Sequence, residues 1–216
     1  MSLSKSIKAL KGEAQKIMNE HRNKMDAVPD YSAFNDEQQT ELRNKYLNKI
    51  KSETEKKFDE IIFHSNLNVS ELRREINKIK YPFESQAVGS DARQQISMTK
   101  QRAENLALQK LDFNILNYLD NEINKNEIDF IFYFQNALSL NTSLSNELRA
   151  EINSKISEVE NNLGVSNKNI ELKMCDVLKN ETEIFKQILE DDSPELKLQT
   201  GTYSAEMNEL TNQLES

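Results

Sequence analysis

Two histidines and one cysteine, His21, His64 and Cys175, are the first residues of this chain whose types raise the question of chemistry. A zinc site takes three or four ligands, usually at short spacings, and these three are widely separated in sequence. Read singly, His21 falls on an apolar helical stripe as a seam residue. His64 reads as a helix-end residue placed to interact with the helix dipole. Cys175 has Lys173 as its one basic neighbour and reads as a small buried hydrophobe rather than an activated nucleophile. The acidic pair Asp191/Asp192 falls at an expected helix C-terminus, where carboxylates are solvated. A two-acid hydrolase would need them in a pocket. Lys5, Lys8, Lys11, Lys16, Arg22 and Lys24 surround a narrow apolar stripe. A membrane surface or nucleic acid is conceivable for them, but Glu13, Glu20 and Asp26 dilute the charge and no Trp or Phe anchors the stripe, so a solvated coiled-coil face is the preferred reading. These residues give no catalytic or metal assignment and call for no cofactor, so the chain is expected not to be an enzyme.

The elements that position these residues are written in the composition. Only 37% of the 216 residues are hydrophobic and 30% are charged, against roughly 45–50% apolar in ordinary globular domains. Four Gly and three Pro are too few for a Gly-rich phosphate loop, a turn-rich β-sandwich or a flexible linker. The expectation is an all-α protein, elongated, with helices that each bury one stripe. The net charge of −8 disfavours a general nucleic-acid binder. It is also uneven: residues 1–81 carry net +3 and residues 82–216 net −11, so the two parts should attract one another, or copies of one another head to tail. One cysteine precludes an intrachain disulfide and fits a reducing cytoplasm, or a particle assembled there. No stretch has the roughly 18 apolar residues that span a bilayer, and the N-terminal residues lack a signal-like apolar run.

Leu3, Ile7, Leu10, Ala14, Ile17, His21 and Met25 recur at three- and four-residue spacings, as in a coiled-coil seam. The pattern stops before Pro29. Asn35 with Gln38 reads as a capping box, opening a second helix through Leu42, Tyr46, Ile50, Phe58, Ile61 and Ile62, so that residues 3–63 form a helical hairpin. Asn68 with Glu71 reads as another cap, for a short helix ended by Pro82. Residues 81–91, with a Pro and a Gly, read as a hinge. Ser90 or Asp91 then caps a pattern of more than 30 residues to Ile123, interrupted by Asn124, Lys125 and Asn126. Ile128 to Phe134 is the one dense apolar cluster; although its residues also suit a strand, a buried helix is preferred because no partner strand is evident. Ser145 caps a helix closed by Gly164, and a further helix runs through Ile188. Ser193-Pro194 is a cap with an N1 proline. The acidic tail keeps one weak stripe and is expected to be weakly ordered. The similar heptapeptides 71–77 and 147–153 stand in unlike surroundings and read as reuse of common helix formers. The domain reading is thus 1–81, a hinge at 82–91, and 92–216.

Ile17-Met18-Asn19-Glu20-His21-Arg22-Asn23-Lys24-Met25, then Pro29-Asp30-Tyr31-Ser32, then Glu41-Leu42-Arg43-Asn44-Lys45-Tyr46 resembles the opening of small helical proteins from the structural and morphogenesis modules of tailed bacteriophages. That resemblance covers about 35 residues and implies a scaffold, connector or interior component of a virion, without catalytic residues. Narrow stripes and low apolar content leave surface that partners must cover, so protein partners are expected, in a homo-oligomer or larger particle; nucleic acid is expected only through the basic N-terminal helix. The competing reading is a monomeric helical module docking on one host protein. The residues expected to carry contacts are Leu3, Ile7, Leu10, Ile17 and Tyr46 in a helix–helix seam, and Phe130, Phe132, Tyr133 and Phe134 as the densest buried or interfacial patch.

Overall fold

The computed structural model describes residues 3–191 and 193–215, so Asp192 lies outside the described residues. Among these the chain is all-α, with nine helices and no strand: α1 (Leu3–Asp26), α2 (Asp36–Lys80), α3 (Pro82–Gln86), α4 (Ser90–Ala107), α5 (Asn114–Asn124), α6 (Ile128–Leu138), α7 (Asn146–Asn162), α8 (Val165–Ile188) and α9 (Pro194–Glu215).

The local signals act where side chains can reach orphan backbone groups. The Asn35 side chain accepts from the Gln38 N–H at 2.9 Å, and Ser145 Oγ accepts from the Leu148 N–H, each satisfying a donor that the first helical turn leaves free. Gly164 follows α7 with φ +72°, the left-handed conformation that ends many helices and that glycine adopts without strain. Asn126 takes the same region at φ 60° and turns the chain between α5 and α6.

Backbone proximity divides the chain into two compact units, residues 1–71 with 170–216, and residues 72–169. The first is built from α1, most of α2, most of α8, and α9. α1 and α2 run antiparallel: Lys24 faces Glu53, His21 bonds Thr54 and Glu20 meets Lys57. α2 and α8 are antiparallel too, with Ser65 Oγ donating to the Cys175 carbonyl at 3.0 Å, Phe58 stacked on Phe185 at 5.8 Å and Lys186 on Asp59 at 2.7 Å. α9 joins through Ser204 to Glu181, and Lys8 to Glu215 links it to α1. Ile7, Ile17, Ile50, Phe58, Met174, Leu178, Met207 and Leu210 are buried between the four helices.

The second unit is organised around α6. Phe130, Ile131 and Phe134 are fully buried, with Ile128, Phe132 and Tyr133 nearly so. An eleven-residue helix with apolar side chains all round can be dry only if neighbours cover every side. α3, α4, α5 and α7 supply them: Tyr118 of α5 packs against Phe130, and Leu148, Ile152, Ile156 and Val159 of α7 complete the same core. Each large side chain removed from water here contributes roughly 1.5–3 kcal/mol.

Several boundaries differ from the sequence reading. α2 runs unbroken to Lys80, so Asn68/Glu71 caps no helix: the modest propensity cost of Asn inside a helix is outweighed where the backbone bonds continue. The expected hinge at 82–91 lies inside the second unit, and its residues 82–86 form α3. The single long helix from residue 91 to 123 is two, α4 and α5, because Asn141 Nδ2 donates to the carbonyls of Ala107 and Gln109 and Asp112 accepts from the Asn114 N–H. The weakly ordered tail forms α9, which buries Met207 and Leu210. The division at 81/92 separates the basic from the acidic half, whereas the first unit combines both. Lys8–Glu215 and Lys51–Glu190 therefore join the two ends of the sequence within one unit.

Candidate functional site

The expected seam lies in the first unit. Ile7 and Ile17 are buried, while Leu3, Leu10 and Tyr46 are half-buried. His21 sits in the same seam, 7% exposed, with Nδ1 3.0 Å from Thr54 Oγ1. Thr54 itself donates to the Ile50 carbonyl at 2.8 Å, so its hydroxyl proton is committed and the His21 nitrogen facing it is the donor. Burial, with Lys24 and Arg22 nearby, holds the His21 imidazole below its ordinary pKa. His64 stands exposed in the middle of α2, edge-on to Phe63, not at a helix end. Cys175 is buried in α8, and burial, reinforced by Asp176 and Glu171, pushes its thiol up to about 12. It packs as a hydrophobe, since the reactive species is the thiolate. Among the described residues no group of three or more His, Cys, Asp and Glu is placed to hold a metal ion.

Phe130, Phe132, Tyr133 and Phe134 are brought together in the second unit as core. Around their rim lies a network of polar contacts. Asp129, within the aromatic run, turns its carboxylate onto the first turn of α3, accepting from the Phe83 N–H at 3.0 Å and the Glu84 N–H at 2.9 Å. Tyr133 donates its hydroxyl to Glu84 and stacks on Tyr81 at 4.9 Å, whose own hydroxyl accepts from Asn136 at 2.7 Å. Burial first, then the Glu84 hydrogen bond, raises the Tyr133 phenol above its ordinary range, so it stays a neutral donor. Beside these groups a cleft of about 330 Å³ is lined by Phe83, Gln86, Gln95, Ile96, Thr99, Glu127, Asp129 and Tyr133, among others. Asp129 and Tyr133 hold α3 against α6, and their polar atoms are already engaged in doing so.

The remaining buried carboxylates are also structural. Glu122, 2% exposed, accepts from Arg102 at 2.8 Å and Lys125 at 3.1 Å, and the Arg102 guanidinium lies 4.4 Å above the Phe130 ring, a cation–π contact. Glu181 in α8 accepts from Ser204 through Oε1 at 2.7 Å, while its Oε2 is buried without a hydrogen-bond partner.

Sequence reasoning passed over Asp129, Glu122 and Glu181. Asp129 carried a signal: one carboxylate within an apolar run must find donors or shift to its neutral form. Glu122 and Glu181 carry none, because each is one more acid on an amphipathic helix.

Outside the cores, eleven large apolar side chains are exposed among the described residues. Four are phenylalanines, Phe34, Phe63, Phe83 and Phe113, out of nine in the chain; this is a high share for a residue type that is usually interior. No described helix is long and apolar enough to cross a membrane. No family model, curated protein or solved structure matches the chain.

Proposed function

We propose that this protein is a non-enzymatic structural or assembly component that works through helix–helix contacts with other protein chains, of the kind that builds phage virions as a scaffold, connector or interior protein. The observation that carries the reading is the exposure of Phe34, Phe63, Phe83 and Phe113 on a chain with a meagre apolar content. Exposed rings that join into an apolar patch mark places that partners cover, and these four are the candidates for such patches. The groups capable of chemistry support the same reading, since Asp129, Glu122, Tyr133 and His21 each hold one helix against another. Copies of the chain, or a larger particle containing it, are the expected partners, and the setting is a bacterial cytoplasm or a virion assembled there.

Sedimentation velocity of the purified protein over a wide concentration range tests this reading. Reversible association, or recovery of the chain in a discrete particle from its native source, is the expected result. A compact monomer at every concentration that also stays out of such a particle would overturn the reading in favour of a module docking on one host protein.

A further inference from the structure

The outward face of α2 carries Lys45, Lys49 and Lys56 in one line, with Ser52 as the remaining position, and Phe63 and Leu67 continue that line toward the C-terminal end of the helix. All six are exposed. The spacing of four, three and four residues keeps side chains on one helical face. Lys45 and Lys56 have no ion-pair partner among the described residues, and Lys49 reaches Glu53 only at 3.9 Å. The acids beside this row are already engaged: Asp59 by Lys186 at 2.7 Å and Glu53 by Lys24 at 3.7 Å. Glu41, one turn before Lys45, and Glu60, one turn after Lys56, are exposed acids that bound the row at its two ends.

α7 carries the opposite charge at the same spacing. Glu147, Glu151 and Glu158, with Ser154 between them, are all exposed, and none is in an ion pair among the described residues. The bases of α7 are turned to their own unit: Lys155 bonds Asp120 at 2.6 Å, and Arg149 donates to the carbonyls of Leu138 and Asn141. The α7 row is therefore locally acidic, and three lysines keep the α2 row locally basic between Glu41 and Glu60.

We propose that these two rows are the two halves of one interface, the α2 row of one copy docking on the α7 row of a second copy. With the helices parallel, Lys45, Lys49 and Lys56 register against Glu147, Glu151 and Glu158 with Ser52 opposite Ser154, whereas the antiparallel arrangement sets Lys49 against Ser154 and keeps only two such pairs, so the contact is parallel. Phe63 and Leu67 extend the contact past the ion pairs and supply apolar burial that charge alone lacks. Because the two faces of the contact differ, it is heterologous, and repetition of it yields rings or filaments rather than an isologous dimer. This assignment rests on the proposed assembly role and names its partner as the chain itself. The net charge of −8 opposes indiscriminate association, so copies meet only where charge is locally complementary.

The test is charge exchange on the full chain, read by sedimentation velocity at about 0.1 M and 0.5 M salt, concentrations that leave and remove most screening-sensitive attraction. One variant carries Lys45→Glu, Lys49→Glu and Lys56→Glu; the other carries Glu147→Lys, Glu151→Lys and Glu158→Lys. The wild type should associate at the lower salt and dissociate at the higher. Each triple variant alone should weaken association by at least about tenfold while keeping its helical circular dichroism, since every pair becomes repulsive. An equimolar mixture of the two should recover it, because each then offers the face the other needs. Association that persists unchanged in both variants would overturn this interface and leave the assembly role standing. A mixture that stays monomeric although the wild type associates would also overturn it. A wild type that is monomeric at both salts up to about 100 µM, a range where even weak contacts register, would overturn the self-docking and leave a larger particle of other subunits to be examined by native isolation.

Discussion

Phe130 and Phe63 make a matched pair for testing the energetics of the second unit's core against the surface. Phe130 is fully buried, flanked by Tyr118 at 5.9 Å and Phe134 at 6.3 Å, and capped by the Arg102 guanidinium at 4.4 Å. Phe130→Ala deletes the ring and leaves a cavity in a centre that α4, α5 and α7 cannot jointly close, which costs about 3–5 kcal/mol. The lost ring and cation contacts put the value toward the upper end. For a unit of roughly 100 residues, each kcal/mol moves the melting temperature by about 4–8 °C, so a fall of about 12–40 °C is expected in the transition that includes α6. Phe63→Ala removes a ring that is 59% exposed, and surface substitutions of this sort stay within about 0.5 kcal/mol. The assay is urea unfolding followed by far-ultraviolet circular dichroism, with hydrogen exchange of the α6 amides to locate the effect. A Phe130→Ala loss below about 1 kcal/mol, or equal losses for the two variants, would refute the assignment of α6 as the core, because exposed and buried rings would then be energetically alike.

His21 should make the stability of the first unit depend on pH. Its folded pKa is depressed by burial, so below about 6.5 the unfolded chain binds the proton more readily. The contribution is present above that pH and is lost as pH falls through it; urea midpoints at pH 7.5 and 5.5 should differ less in His21→Gln than in the wild type. Cys175, buried and with its thiol pushed up to about 12, should react with an aromatic disulfide reagent at pH 8 only after urea unfolds the chain; rapid reaction of the native protein would contradict its placement. The glycines should split in sign. Gly12 lies inside α1 with open space where a Cβ would stand, so Gly12→Ala should stabilise by about 0.4–1 kcal/mol. Gly164→Ala, at φ +72°, should destabilise by about 1–2 kcal/mol, both read as shifts in the urea midpoint.

Wherever the cause lay within a few residues, the helices were legible in the sequence. Asn35, Ser145 and Gly164 act on backbone groups one turn away, so their meaning does not depend on the rest of the chain. The apolar run 128–134 likewise announced a segment requiring cover on every side, and α6 receives it. The break between α4 and α5 has one local cause, Asp112 accepting from the Asn114 N–H, and one remote cause that no short window of sequence shows: Asn141, more than thirty residues on, takes the carbonyls of Ala107 and Gln109. The continuity of α2 through Asn68 is hidden for the converse reason, since a capping pattern is only an option for the backbone and the tertiary setting decides whether it is taken.

The sequence by itself determined that the chain is all-α and that its apolar residues form stripes, because propensity, capping and helical period are local properties. It also determined that charge is uneven from one end to the other. Only the tertiary structure decided how that charge is used. It folded α1, α2, α8 and α9 into one unit, so Lys8, Lys51 and Lys186 find their acids there, and it left Lys45 and Lys56 on α2 and Glu147, Glu151 and Glu158 on α7 facing water. It likewise chose which carboxylates became interior, placing Asp129 on the first turn of α3 and Glu122 between Arg102 and Lys125. A charge is attracted by whatever lies within a few ångströms of it, and in a chain of long helices those neighbours are set by the packing, not by adjacency in sequence.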